Sequence, residues 1–138
     1  MKRDKLDIIF SKLVRERADW TCEMCGKKFP EDAPNLHCSH IYGRRYRSTR
    51  WHGNNATAMC FACHRSVTEQ PLEFSAWVLA TFGEGHCTAL KTRRNAILKL
   101  SKPEKEEFYQ FMKRELERLK ERRNDGETGR LEFEEWLR

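Results

Sequence analysis

The stretch Leu36-His37-Cys38-Ser39-His40-Ile41-Tyr42, and after a basic loop Asn54-Asn55-Ala56-Thr57-Ala58-Met59-Cys60-Phe61-Ala62-Cys63-His64, decides how this chain is read. Residues 36–42 and 57–59 have the composition of short strands on either side of the loop, and a helix is predicted to start near Cys63. No acidic residue lies between Asp32 and Glu69, whereas Arg44, Arg45, Arg47, Arg50 and Arg65 all fall there, with His37, His40, His52 and His64. The whole chain of 138 residues carries a formal charge of +6, and this window holds much of the excess. A concentrated positive charge points to an anionic partner, most often nucleic acid.

Just outside and inside this window stand two C-x2-C pairs, Cys22/Cys25 and Cys60/Cys63, with 34 residues between them. Each pair forms a turn that brings both thiolates to one ion, and two turns complete a tetrahedral shell. Four protein ligands leave no open position, so the expected site is a structural Zn2+ rather than a catalytic one. Cys38 and Cys87 are left over and read as small apolar residues.

Working outward, residues 5–19 place Leu6, Ile9, Phe10, Leu13 and Val14 at helical spacing. A helix is predicted over 71–82, with Pro71 in its first turn and Gly83 as its stop. Another is predicted over 88–100, with Leu90, Ile97 and Leu98 on one face. Ser101 and Glu104 have capping-box spacing for a last helix, whose stripe is Phe108, Phe111, Met112, Leu116 and Leu119. After a break at 124–129 the chain ends in an acidic tail containing Trp136. These stripes read as core packing rather than as cofactor contacts.

The segment Leu36-His37-Cys38-Ser39-His40-Ile41, with Asn54-Asn55 and Cys60-Phe61-Ala62-Cys63-His64, resembles the HNH, or ββα-metal, nuclease motif. The three named positions fall on His40, Asn55 and His64, and the second C-x2-C pair sits where zinc-bearing members of that family carry one. The run SHIYGRRYRSTRW at 39–51, with PLEFSAW at 71–77, is further similar to phage-borne HNH proteins, including recombination endonucleases of the NinG/Rap kind. The resemblance covers about residues 20 to 80. It implies an α+β, mainly α fold in which a ββα-metal core with a four-cysteine zinc knuckle is flanked by N- and C-terminal helices. The expected divisions are an N-terminal helix (1–19), a nuclease core (20–83) and a helical C-terminal extension (84–138).

The implied activity is divalent-metal-dependent hydrolysis of DNA phosphodiester bonds, in phage or prophage DNA processing. Such hydrolysis needs a base to activate water, and imidazole titrates in the right range. It also needs a cation against the charge developing on the phosphate. His40 is the expected base, and His64 a ligand of a catalytic Mg2+, Mn2+ or similar ion. Asn55 is expected to close the intervening loop and keep His40 aimed. The family places Asp or His immediately before the base as second ligand, where this chain has Ser39. His37, two residues earlier on the same strand face, is ranked ahead of His52 as the replacement. Arg44, Arg45, Arg47 and Arg50 are expected to hold phosphates, with Tyr42, Tyr46 and Trp51 stacking on bases or packing the loop.

The alternative that Ser39 keeps open is a decayed nuclease fold, a zinc module that binds nucleic acid without cutting. The helices after Lys91 could also dock a second copy or a phage protein. No apolar run reaches bilayer length and no export signal opens the chain, so the expected setting is the cytoplasm of a bacterial host cell.

Overall fold

The first apolar stripe, Leu6, Ile9, Phe10, Leu13 and Val14, forms one side of helix α1 (Lys5–Arg17). A computed structural model, which describes residues 1–137, buries all of it. Asp4 caps this helix and shares a reciprocal capping box with Asp7. Strand β1 (Leu36–His40) follows, then a one-turn helix α2 (Arg47–Arg50) and a 3-10 turn over Gly53–Asn55. Strand β2 (Ala56–Cys60) runs directly into helix α3 (Phe61–Glu69). Helices α4 (Pro71–Phe82), α5 (Glu84–Arg94) and α6 (Lys102–Asn124) complete the regular structure. The chain is mainly helical with one small sheet, an α+β protein in which α dominates.

That sheet is an antiparallel pair in which Leu36 faces Cys60 and His40 faces Ala56. A lone hairpin is marginal in water. Here α1 and α3 both pack on it. Every residue of β2 is buried, which is why its sequence, Ala-Thr-Ala-Met-Cys, lacks the alternation of a half-exposed strand.

Two buried clusters meet along β2. One joins the α1 stripe to Trp51, Ala56, the α6 residues Phe108, Met112, Leu116 and Leu119, and Leu131, Phe133 and Leu137 of the tail. The other joins Trp20, Cys22, Phe29 and Leu36 to Ala58, Met59, Cys60 and Val67. The residues before position 20 and after position 100 are therefore not appendages, because they bury the same core as Trp51 and Ala56.

Local departures from the sequence reading have simple causes. Helix α5 starts at Glu84 and ends at Arg94, instead of spanning 88–100. Gly83, at φ 91°, turns the chain sharply and lets a new helix begin at once. Leu90 is buried, but Ile97 is 87% exposed, so the expected stripe joined a helix to a loop. The acidic tail has no regular structure, yet it is docked: Trp136 stacks on Phe108 with ring centroids 4.9 Å apart. Among the described residues, no helix is long and apolar enough to cross a membrane.

Candidate active site and metal centre

Cys22, Cys25, Cys60 and Cys63 converge, their sulfur atoms all lying within 4.8 Å of one another. Cys22 and Cys25 sit on the turn after α1, closed by Gly26 at φ 80°. Cys60 ends β2 and caps α3, its sulfur accepting from the Cys63 N–H at 3.5 Å; the Cys22 sulfur accepts likewise from Cys25. Burial alone would raise the Cys22 thiol, but backbone N–H donors bring it down to about 7. Glu23 ties the first turn to β2, donating its N–H to the Ala58 carbonyl at 2.8 Å and accepting the Ala58 N–H on its carboxylate at 2.6 Å.

The donor set fits zinc. Four thiolates at roughly 2.3 Å from a tetrahedral ion would stand about 3.8 Å apart. The Cys25 and Cys60 sulfurs are 3.8 Å apart. Among the described residues this is the one cluster of three or more metal-ligating side chains close enough to share an ion.

The two leftover cysteines stay outside it. Cys38 lies in β1, where burial pushes its thiol up to about 12 and keeps it protonated; Cys87 lies in α5.

A cleft of about 620 Å³ opens between β1, the loop that follows it, α3 and the N-terminal segment. Its walls include His37, Cys38 and His40 of β1, His64 of α3, Gly43 and Arg44 of the loop, and Arg3, Asp7, Ser11 and Arg15 from the N-terminal segment. His40 and His64 thus face one space although they are far apart in sequence. The imidazole Nε2 of His40 lies 3.0 Å from the Arg50 carbonyl, which can only accept. Nε2 therefore carries the proton and Nδ1 keeps the lone pair. Burial lowers the pKa of His40, opposed by the Arg50 carbonyl and the charge of Asp7, so the ring is neutral at pH 7.

Asn55 is fully buried. Its side chain accepts the Tyr42 N–H at 2.8 Å and donates to the Tyr42 carbonyl at 2.9 Å, while its own carbonyl accepts the Ile41 N–H. These three bonds close the loop of residues 41–55 at its neck, immediately after His40.

His37 and His64 bring their Nδ1 atoms to 3.0 Å. Two imidazole nitrogens bound about 2.1 Å from one ion would lie about 3.0–3.4 Å apart, so the pair has the spacing of two neighbouring ligands. Burial, and secondarily the charge of His37, lowers the pKa of His64. Ser39 is 1% exposed and does not line the cleft. His52 does not line it either: its Nδ1 accepts the Asn54 N–H at 3.2 Å, and burial brings its pKa down to about 4.

The loop arginines divide. Arg50 is not free to hold phosphate, because its guanidinium is buried against Asp7, Nε to Oδ1 at 2.9 Å and Nη2 to Oδ2 at 2.5 Å. Trp51 is likewise a core residue, 1% exposed, whose Nε1 donates to Asp7 at 3.0 Å. Arg44 lines the cleft. Arg45 and Arg47 are exposed, stacked over Tyr46 and Trp51 at 4.8 and 5.7 Å.

Reading the sequence did not single out Asp7, Arg3, Arg15 or Arg17. Asp7 had a signal: with Ser11 and Val14 it follows i, i+4, i+7 on the buried side of α1, where an acid needs a partner. Arg17, buried below the 3-10 turn, donates to the Gly53 and Ala56 carbonyls at 2.9 and 2.7 Å. Glu135 of the tail accepts the Gly53 N–H at 2.7 Å, so the turn that carries Asn55 is held from behind by α1 and the tail together.

No protein-family model matches this chain, and neither a curated protein nor a solved structure matches it.

Proposed function

We propose that this chain is a divalent-metal-dependent DNA endonuclease of the HNH, ββα-metal type, carrying a structural zinc on Cys22, Cys25, Cys60 and Cys63. The observation that carries this reading is the convergence of His40, from the end of β1, and His64, from the first turn of α3, on one cleft. The order hairpin then helix, with Asn55 clamping the loop between them, is consistent with it.

In this mechanism His40 Nδ1 takes the proton of the attacking water, a role that suits a neutral imidazole whose other nitrogen is already committed to a carbonyl. As the proton arrives, the imidazolium is steadied by the Arg50 carbonyl and by the nearby charge of Asp7. Asn55 holds the loop so that His40 keeps one orientation. Arg44 on the same wall supplies positive charge for the phosphate. His37 and His64 would hold the catalytic ion, which when bound would neutralise charge on the scissile phosphate and its leaving oxygen. Two imidazoles without a carboxylate suit Mn2+ or a later first-row ion better than Mg2+, which prefers oxygen.

A second reading keeps the fold and the zinc but not the chemistry: a nucleic-acid-binding module that no longer cuts. The burial of Ser39, where the motif has a metal ligand, favours it. Incubating supercoiled, linear and branched DNA with the zinc-loaded protein and a panel of Mg2+, Mn2+, Co2+ and Ni2+ separates the two. The nuclease reading requires nicked or cut product that His40→Ala abolishes while binding persists. Binding without product under every ion would leave the second reading.

A further inference from the structure

The 620 Å³ cleft is basic both at the loop, where Arg44 lies, and along the N-terminal segment that faces it, which carries Arg3 and Arg15. Arg3, Arg15 and Arg44 line it, against a single carboxylate, Asp7, whose charge is taken up by Arg50. Among the described residues none of those three arginines makes an ion pair.

Arg15 is held in place without being neutralised. Its Nε donates to the Ser11 carbonyl at 3.1 Å, its Nη1 points to the Leu36 carbonyl at 3.4 Å, and its guanidinium stacks on Trp20 at 4.8 Å. Burial lowers its pKa, partly offset by the charge of Asp32, which makes no ion pair with it, and Arg3 acts in the same direction as burial. Arg44 donates through Nη2 to the Met1 carbonyl at 3.1 Å, but its Nη1 is buried with no partner. Arginines that line one open cavity from two sides, none of them in an ion pair, make that cavity attractive to an anion.

We propose that Arg3, Arg15 and Arg44 form a phosphate-binding subsite, so that α1 is one wall of the substrate cleft and seats a phosphodiester next to the one presented to His40. This rests on the nuclease reading for what happens at His40, but the subsite is defined by its own cations. Each planar guanidinium offers paired N–H donors to phosphate oxygens, and a short cleft with unpaired arginines on two sides grips a strand by its backbone, without reading bases.

The test uses full-length, zinc-loaded protein in a His40→Ala background, so that substrate is bound and not consumed. The probe is a fluorescein-labelled 20-base-pair DNA duplex titrated by anisotropy from 50 to 300 mM NaCl. Releasing about one counterion per phosphate contact lowers the slope of log K against log salt by about 0.9, which is about 8-fold in affinity at 0.1 M salt. Arg3→Gln/Arg15→Gln should therefore weaken binding by about 60-fold and flatten the slope by nearly 2. Lys113→Gln/Arg114→Gln, on exposed positions of α6, removes the same charge and should change the slope by less than half as much.

Because Arg15 also touches Trp20 and Leu36, Arg15→Lys and the single Arg3→Gln provide variants that spare the fold. Each is checked by circular dichroism and zinc content. Arg3→Gln should cost about 8-fold, and Arg15→Lys should retain most of the slope while losing paired-donor affinity. Equal slopes for Arg3→Gln/Arg15→Gln and the α6 pair, or no binding by the parent protein, would overturn the subsite. Tight binding with the expected slopes but no cleavage by the wild-type chain under any metal would instead remove the nuclease reading and leave the subsite standing.

Discussion

Replacing Asp7 by Asn tests how α1 supports His40, the proposed base. Both carboxylate oxygens of Asp7 accept only N–H donors: Arg50 Nε and Trp51 Nε1 at Oδ1, Arg50 Nη2 and the Asp4 N–H at Oδ2. An amide in this position must turn its NH2 toward donors whichever way it is placed, and it leaves the buried Arg50 guanidinium uncompensated. Breaking a buried pair from one side costs about 3–5 kcal/mol. The pH-dependent part has its own size. Burial would raise the Asp7 carboxyl, but Arg50 and the other donors hold it at about 2, against an ordinary value of 3.8. That difference corresponds to about 2 kcal/mol of stability carried by the ionised form. Because the folded pKa is depressed, this stabilisation is complete above about pH 4 and lost as pH falls toward 2. Urea unfolding followed by circular dichroism at pH 7 and saturating zinc should place Asp7→Asn about 3–5 kcal/mol below wild type, a gap that stays constant from pH 6 to pH 8 because Asp7 is ionised throughout that range. If wild type cleaves DNA, Asp7→Asn should also cut more slowly, because Arg50 supplies the carbonyl that orients His40. A loss under about 1 kcal/mol at pH 7 would refute the reasoning.

Further consequences concern the metal centre and the turn behind the cleft. Removing zinc with a strong chelator, or making Cys60→Ser, should cost on the order of 10 kcal/mol and unfold the segment around Cys22 and α3; native mass spectrometry should find one zinc in the wild type. At Gly53 a Cβ would collide with the Glu135 carboxylate and come within 2.9 Å of Phe133. Gly53→Ala should therefore lever the tail off its seat, costing about 1–3 kcal/mol and making residues 131–137 sensitive to limited proteolysis. Burial raises the Glu135 carboxyl to about 7, so the folded state holds a proton that the unfolded chain releases near 4.5. The contribution of Glu135 therefore falls as pH rises from about 4.5 through 7, opposing the rise that buried His52 gives, and Glu135→Gln should make thermal stability climb more steeply with pH over that range.

Much of the fold was legible because it depends on local rules. The capping box at Ser101 and Glu104 forms, and α6 buries Phe108, Met112, Leu116 and Leu119 as their spacing requires. Pro71 opens α4 and Gly83 closes it. The paired cysteines are a local signal too, since each C-x2-C turn presents both its sulfurs whatever lies between the pairs. The arginine loop was less legible, because four similar arginines met different neighbours. Arg50 was claimed by an acid 43 positions away, while Arg44 was left on the cleft wall.

By itself, then, the sequence determined the α+β class, the helix stripes, the four-cysteine cluster and the acid-free window, all features set by composition or by spacing within a few residues. Only the tertiary structure decided which side chains share the cleft. That outcome depends on α1 and the tail closing over the turn at Gly53, with Asp7, Arg17 and Glu135 meeting partners far along the chain. Contacts of that kind follow from how buried charges find compensation once the core has formed, and no periodicity encodes them.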